Sequence, residues 1–437
     1  MTTTNNGRLS SGALHRQRTA ATVLLGALLL PWLAQAQVSS SVTRTVSFSY
    51  DAYGTRTSQT VEPDDATLRL QTTYTPHPTY GVITGTTQSW QDPLSGAVNR
   101  STSTSYDSRY RYPSTVTNAK GHTETHTYDS GTGAIVSLQD ANGLSTSWQY
   151  DPWGRKTRES RADGTATTWA WRACVDNCLN NAVAVEVTQH WSGSSQTTVP
   201  AETFTDSLGR QVLTRTWGFD GAAILADKIY GSKGRVQKIA RPRLAAASAV
   251  WTEYTRDDLG RVTQIQSPAK TGSGSYTTTF QYNGLQTTTI NAKTQSRVET
   301  VNGQGKLVSV VDARNKTTRY LYDAFGNLLR TTDAAGNQVH IYYDRLGRKT
   351  TLDDPDLGRW SYVVDPLGRT RRQTDAKNQV STFSYDELDR QTVRLEPDQE
   401  SHWDYDSAPK GIGKLAEAYT WVAGAKDHRR IHGYDSL

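Results

Sequence analysis

Tyr322-Asp323-Ala324-Phe325-Gly326-Asn327, Tyr343-Asp344-Arg345-Leu346-Gly347-Arg348, Val364-Asp365-Pro366-Leu367-Gly368-Arg369 and Tyr385-Asp386-Glu387-Leu388-Asp389-Arg390 place an aspartate every 21 residues. A second set, Asp312, Asp333, Asp354 and Asp375, interleaves at the same period. The unit is therefore two half-repeats. Asp at the first position of a turn can bond its own backbone two residues on, Pro suits the second position, and Gly supplies a positive φ near the exit. Between turns, polar residues alternate with β-branched or aromatic ones, as in Val380-Ser381-Thr382-Phe383-Ser384-Tyr385, the pattern of a half-buried strand. The Tyr before each Asp is expected to pack on the neighbouring strand, and the Arg after Gly to reach an acid across the strand pair.

Working upstream, the motif continues with looser spacing. It stands as Tyr50-Asp51-Ala52-Tyr53-Gly54, Tyr106-Asp107, Tyr128-Asp129 and Tyr150-Asp151-Pro152-Trp153-Gly154-Arg155, then as Asp206-Ser207-Leu208-Gly209-Arg210 and Asp257-Asp258-Leu259-Gly260-Arg261. The chain has 437 residues, too many for one ordinary core, and its apolar fraction is only 35%. A repeat array with 22 Tyr and 12 Trp reconciles these, since aromatic rings suit pleated, half-buried surfaces. The fold class expected is all-β, a β-hairpin array. Residues 37–171 would form N-terminal repeats, 172–200 an irregular insertion, 201–300 repeats with longer hairpins, and 301–437 regular 21-residue repeats.

Tyr-Asp-x-x-Gly-Arg at this period, alternating with Thr-Asp-Ala-x-Gly-Asn, resembles the YD repeat of the RHS (rearrangement hotspot) family, to which teneurins and the C-components of insecticidal Tc toxins are related. The repeat-motif residues that carry the resemblance are Tyr150, Asp151, Gly154 and Arg155; Asp206, Gly209 and Arg210; Asp257, Gly260 and Arg261; Tyr322, Asp323 and Gly326; Tyr343, Asp344, Gly347 and Arg348; Asp365, Gly368 and Arg369; and Tyr385 and Asp386. The resemblance implies a continuous sheet of hairpins forming part of a spiral β-sheet shell. In bacterial members such a shell encloses a variable C-terminal toxin. The family's aspartyl autocleavage motif and variable effector domain are not visible, and Gly433-Tyr434-Asp435-Ser436-Leu437 stops just before the Gly-Arg that the repeat predicts. The expectation is a fragment of a longer product or a degraded gene.

Arg8, Arg16 and Arg18 precede the apolar run from Ala20 to Leu30, followed by Pro31-Trp32-Leu33 and Ala34-Gln35-Ala36. A basic region, a short apolar region and small residues at the cut read as a signal peptide over 1–36, and no other stretch could span a membrane. The mature chain is expected in the bacterial periplasm, at the outer surface, or secreted. Cys174 and Cys178, four apart in an exported chain, are expected to form a local disulfide.

Net charge is +6, of which the three leader arginines supply +3, and the remaining bases recur singly after turns among acids. That distribution argues against nucleic-acid binding. His122, Glu124 and His126 fall on one strand face but span about 13 Å, too wide for one ion without distortion. Asp404 and Asp406 near His402 invite acid–base chemistry, yet aspartates recur in every turn and so serve the turn. No Gly-x-Ser-x-Gly elbow, phosphate loop, His-Glu-x-x-His or dinucleotide fingerprint is present. No cofactor is expected. Trp148, Trp153, Trp169, Trp171, Trp191, Trp217 and Trp251 could pack across strands or, exposed, stack on sugars or polypeptide. The functional expectation is a non-catalytic scaffold enclosing a C-terminal toxin or effector cargo. The alternatives are a cell-surface adhesion or carbohydrate-binding module, whose partner would be a glycan or protein on a cell, and a gene remnant.

Overall fold

A computed structural model describes residues 43–175, 178–270, 274–422 and 424–436. The expected leader, residues 1–36, lies outside them. The described residues form 35 strands and one short 3-10 turn, Leu179–Asn181. Every pairing between them is antiparallel, as in Thr317–Tyr322 on Leu328–Thr332 and Val380–Tyr385 on Gln391–Leu395. The all-β hairpin array expected from the repeat is the architecture observed.

The chain divides into two compact units. The first joins the described part of Met1–His126 to Asp140–Asn142 and Ile341–Tyr434. Its N-terminal strands, from Val46–Tyr50 to Pro113–Thr117, pair each with the next. So do its C-terminal strands, from Lys349–Asp354 to Ala425–Ile431. The second unit comprises Thr127–Gln139, Gly143–His340 and Asp435–Leu437. It is the same meander, with two-residue side strands at Ser195–Gln196 and Arg243–Leu244.

Alternation explains the half-covered strands. Ser145–Tyr150 alternates exposed with partly buried positions throughout, because successive side chains of a strand face opposite sides. Among the described residues, an apolar cluster in the second unit joins Ala182, Val185, Phe204, Val212, Leu213 and Leu225, with Cys174 and Tyr230 against it.

Residues 172–200 are more regular than expected. Ala184–Ser192 is a nine-residue strand that pairs with Thr165–Ala173 on one side and Ala201–Thr205 on the other. A disulfide joins Cys174 to Cys178 in the loop between the first two of these strands, and Cys174 rests on the apolar cluster. In the chain-entropy account a cross-link closing so short a loop stabilises by about 2 kcal/mol. Replacing both cysteines by serine is therefore expected to lower the unfolding free energy of the second unit by that amount, read by urea unfolding under non-reducing conditions.

Candidate functional site: the turn clamp and the seam it supports

Each repeat turn is a self-contained hydrogen-bonded device. In Asp365-Pro366-Leu367-Gly368-Arg369, Asp365 Oδ1 accepts the backbone N–H groups of Leu367 at 3.1 Å and Arg369 at 2.9 Å. The Gly368 N–H donates to the Asp365 carbonyl, and the Asp365 N–H to the Arg369 carbonyl. The strand pairing slips by one residue between Val363 and Val364. This is a type I turn closed by a bulge, which needs one left-handed residue. Gly154, Gly209, Gly260, Gly326, Gly347 and Gly368 fill that position with φ between +72° and +90°. At Asp389 the repeat departs from glycine, and φ is +64°, within reach of Asp and Asn because their short polar side chains bond locally.

The arginine after the glycine reaches an acid, as expected, and the nearest one is not further along the neighbouring strand. The side chain folds back on the aspartate of its own turn. Arg155 Nε to Asp151, Arg210 Nε to Asp206, Arg261 Nε to Asp257, Arg348 Nε to Asp344, Arg369 Nε to Asp365 and Arg390 Nε to Asp386 span 2.6–2.8 Å. The bulge brings the first and fifth residues of the turn together, so the nearest carboxylate is the turn's own. In the Asn-bearing turns Asn327 Nδ2 replaces the guanidinium, donating to Asp323 at 2.7 Å.

The guanidinium then bridges to the next repeat. Arg348 Nη1 donates to the Asp365 carbonyl. Arg369 Nη1 donates to Asp389 Oδ1 at 2.9 Å, and both terminal nitrogens of Arg390 donate to Asp406. The tyrosine of the following repeat lies under the same cation, with Arg210 over Tyr230 at 4.5 Å, Arg261 over Tyr282 at 4.3 Å and Arg369 over Tyr385 at 5.2 Å. Its hydroxyl donates to the carbonyl just after that arginine, as from Tyr385 to Thr370 at 3.0 Å. Tyr150 donates likewise to the Ile135 carbonyl at 2.8 Å. Tyr322 and Tyr343 end their strands at the equivalent position. Tyr, Asp, Gly and Arg are thus one mechanism: aspartate shapes the turn, arginine neutralises it, and the next tyrosine locks the pair.

In the first unit these turns also hold sequence-distant hairpins. Glu62 Oε2 lies 3.3 Å from Arg345 Nη1, and Asp92 Oδ2 lies 2.8 Å from Arg371 Nε. Arg100 pairs with Asp389 at 2.8 Å and Lys120 with Glu387 at 3.3 Å. Asn142 donates to the Ile412 carbonyl and accepts the Ile412 N–H. At the centre Trp90 is buried, with Arg100 on one side at 5.8 Å and Arg369 at 5.5 Å. This seam was not legible in the sequence, because nothing local marks Glu62, Trp90 or Asp92 as partners of residues some 280 positions away.

The other candidates fall into structural places. His122 Nε2 lies 3.5 Å from Asp406 Oδ2, whereas Glu124 lies beside His126. The three residues therefore do not converge, and no metal-holding cluster occurs among the described residues. His402 Nε2 lies 2.7 Å from Glu400 and its ring stacks on Tyr419, while Asp404 faces Lys426 at 3.6 Å. His402, Asp404 and Asp406 line a cavity of about 440 Å³ with Lys120 and Arg390. Hydrogen bonding from Arg390 is the main cause that holds the Asp406 carboxyl down at about 2, against desolvation that raises it. Its folded value lies below its unfolded value of 3.8, so its contribution to stability is complete above that value and is lost as pH falls towards 2. Asp406→Asn is expected to flatten the acid limb of the stability curve of the first unit in that window, measured by urea midpoints from pH 5 to pH 2.

Of the tryptophans, Trp148, Trp169, Trp171, Trp191, Trp217 and Trp251 are half-buried. Trp148 Nε1 donates to Glu159, Trp171 Nε1 to Glu186 and Trp191 Nε1 to Thr168. Packing across strands is the observed role of these three. Trp153 alone of the seven stands exposed, at 79%, on its turn.

Comparison with known proteins agrees with this geometry. The RHS Repeat family model matches residues 128–166, 302–338, 322–358 and 364–408. No curated protein matches significantly by sequence. Among solved structures the chain is similar to TcdB2-TccC3, at 14% identity and a TM-score of 0.63 over 80% of this chain and 22% of that one. It is also similar to TcdB2-TccC3 without its hypervariable C-terminal region, at 12% identity and a TM-score of 0.60 over 90% of this chain and 31% of that one. The chain spans less than a third of the length of either solved chain. The repeat register, the clamp that explains it, the family match over those residues and the shared fold all converge: the chain carries RHS/YD repeats.

Proposed function

We propose that the chain is a non-catalytic wall segment of an exported shell that encloses a C-terminal toxin or effector and carries it to another cell. The observation that carries this reading is the clamp. The carboxylates and cations that recur through the chain are spent on turn geometry and on bridging repeats, which is what a wall requires and what a catalytic site, with one distinct pair, does not. The likeness to TcdB2-TccC3 supports the same reading at the level of fold. The basic, apolar leader of residues 1–36 supports export, with cleavage after Ala36 read by N-terminal sequencing of the secreted chain.

The test is protease protection of the full gene product carrying a labelled C-terminal cargo. The cargo is expected to resist digestion until the repeats are unfolded. Cargo digested as fast as the free domain sinks the proposal. An adhesive role has one observation in its favour, the stacked Tyr80 and Tyr110 rings at 4.5 Å beside His77. Specific retention on a glycan array, abolished by Tyr80→Ala, would establish it instead.

A further inference from the structure

Turns of an antiparallel meander alternate between two edges. In the first unit, turns near Glu62, Asp92 and Asn142 belong to one edge, and those near Arg345, Arg369 and Ile412 to the other; the seam joins the first kind to the second. Its buried acids, Glu62 and Asp92, come from the former edge and meet arginines of the latter. The reversed pairs, Arg100 with Asp389 and Lys120 with Glu387, sit where the acids are about half exposed.

Coverage changes the third residue of each clamped turn. Leu346, Leu367 and Leu388, in the covered turns of the first unit, are half-buried. The equivalent Trp153, Leu208 and Leu259 of the second unit are 79%, 73% and 73% exposed. The same motif thus has a filled and an open version. Arg155 and Arg261 there are neutralised by Asp151 and Asp257, so the net positive charge of the open turns rests on exposed Lys233 and Arg235, with Asp258 the acid 4.0 Å from Lys233. The matching acidic edge is also open in the C-terminal repeats, where Asp353, Asp356 and Asp398 are exposed beside Leu357, with Lys377 and Arg359, the latter cross-strand from Asp353, as the bases among them.

We propose that the open turns of the second unit, around Trp153, Leu208 and Leu259, dock a second copy of this chain through its acidic turn edge at Asp353–Asp356 and Asp398. The occupant follows from continuity with the seam, where an acidic turn edge already closes over this kind of turn, and from charge complementarity between two surfaces that one chain carries. The two surfaces differ, so the contact is head-to-tail and leaves a further site free on each pair. This inference is independent of the cargo reading and stands or falls separately.

Sedimentation velocity on the full secreted chain tests it. The expected result is a weight-average mass that rises with concentration and falls with added salt, as contacts between charges are screened. Leu208→Glu with Leu259→Glu, both at exposed positions, is expected to weaken association at least tenfold without changing the β-sheet circular dichroism. Asp356→Lys with Asp398→Lys is expected to do the same. Mixing the two double variants is expected to restore pairs, because each keeps the surface the other lacks. A chain that stays monomeric up to about 100 μM overturns the proposal. So does association that both double variants leave unchanged, or a mixture that fails to pair.

Discussion

Asp365→Ala is expected to destabilise the first unit by about 3 kcal/mol, the lower end of the cost of breaking a buried ion pair. Asp365 is fully buried. Its carboxylate accepts from Leu367, from the Arg369 backbone and from the Arg369 side chain. Removing it orphans two backbone donors and leaves a largely buried guanidinium with Asp389 as its remaining carboxylate partner. That surviving partner is why the low end applies. Asp312→Ala is the comparison, since Asp312 accepts only from the backbone of Arg314 and Lys316 in an exposed turn, and its loss is expected to cost about 1 kcal/mol. Urea unfolding followed by hydrogen exchange in the two regions distinguishes them. Equal costs would mean that the arginine clamp adds nothing to the turn.

Trp90→Ala is the second large effect, about 3–5 kcal/mol for a buried aromatic truncated to alanine. Trp90 has cross-strand partners in Leu70 and Val98 and is flanked by the cations of Arg100 and Arg369. Its removal opens a void where the N-terminal hairpins meet the C-terminal repeats. Hydrogen exchange should therefore quicken on both sides of the seam, in residues 56–106 and in 365–390, two stretches remote in sequence. The apolar cluster around Phe204 and Leu213 in the second unit should keep its protection, since units that open separately report separately. Trp153→Ala, at an exposed turn, is expected to change stability by less than about 0.5 kcal/mol. Loss of protection confined to 83–106 would show that the seam does not couple the two stretches.

The sequence by itself determined the parts of this protein that close within a few residues. An Asp four positions before an Arg, with Gly between, suffices to shape a turn, because every hydrogen bond of the turn lies inside it. The 21-residue period then places those turns, and alternation between them makes strands. The same local logic holds at Ala184-Val185-Glu186-Val187-Thr188, which alternates as a strand should, and the disulfide loop before it does not interrupt that strand.

What only the tertiary structure decided is which partner each charge takes. Arg369 could have met any of several acids at strand distance; the bulge hands it Asp365, and the next turn adds Asp389. His122 could have joined His126 about a metal, and instead lies beside Asp406, 284 positions on. Trp90, Asp92 and Glu62 look like ordinary strand and turn residues until distant repeats are laid against them. Their role depends on where a long meander carries those repeats, and that summed geometry has no signature in any short stretch of chain.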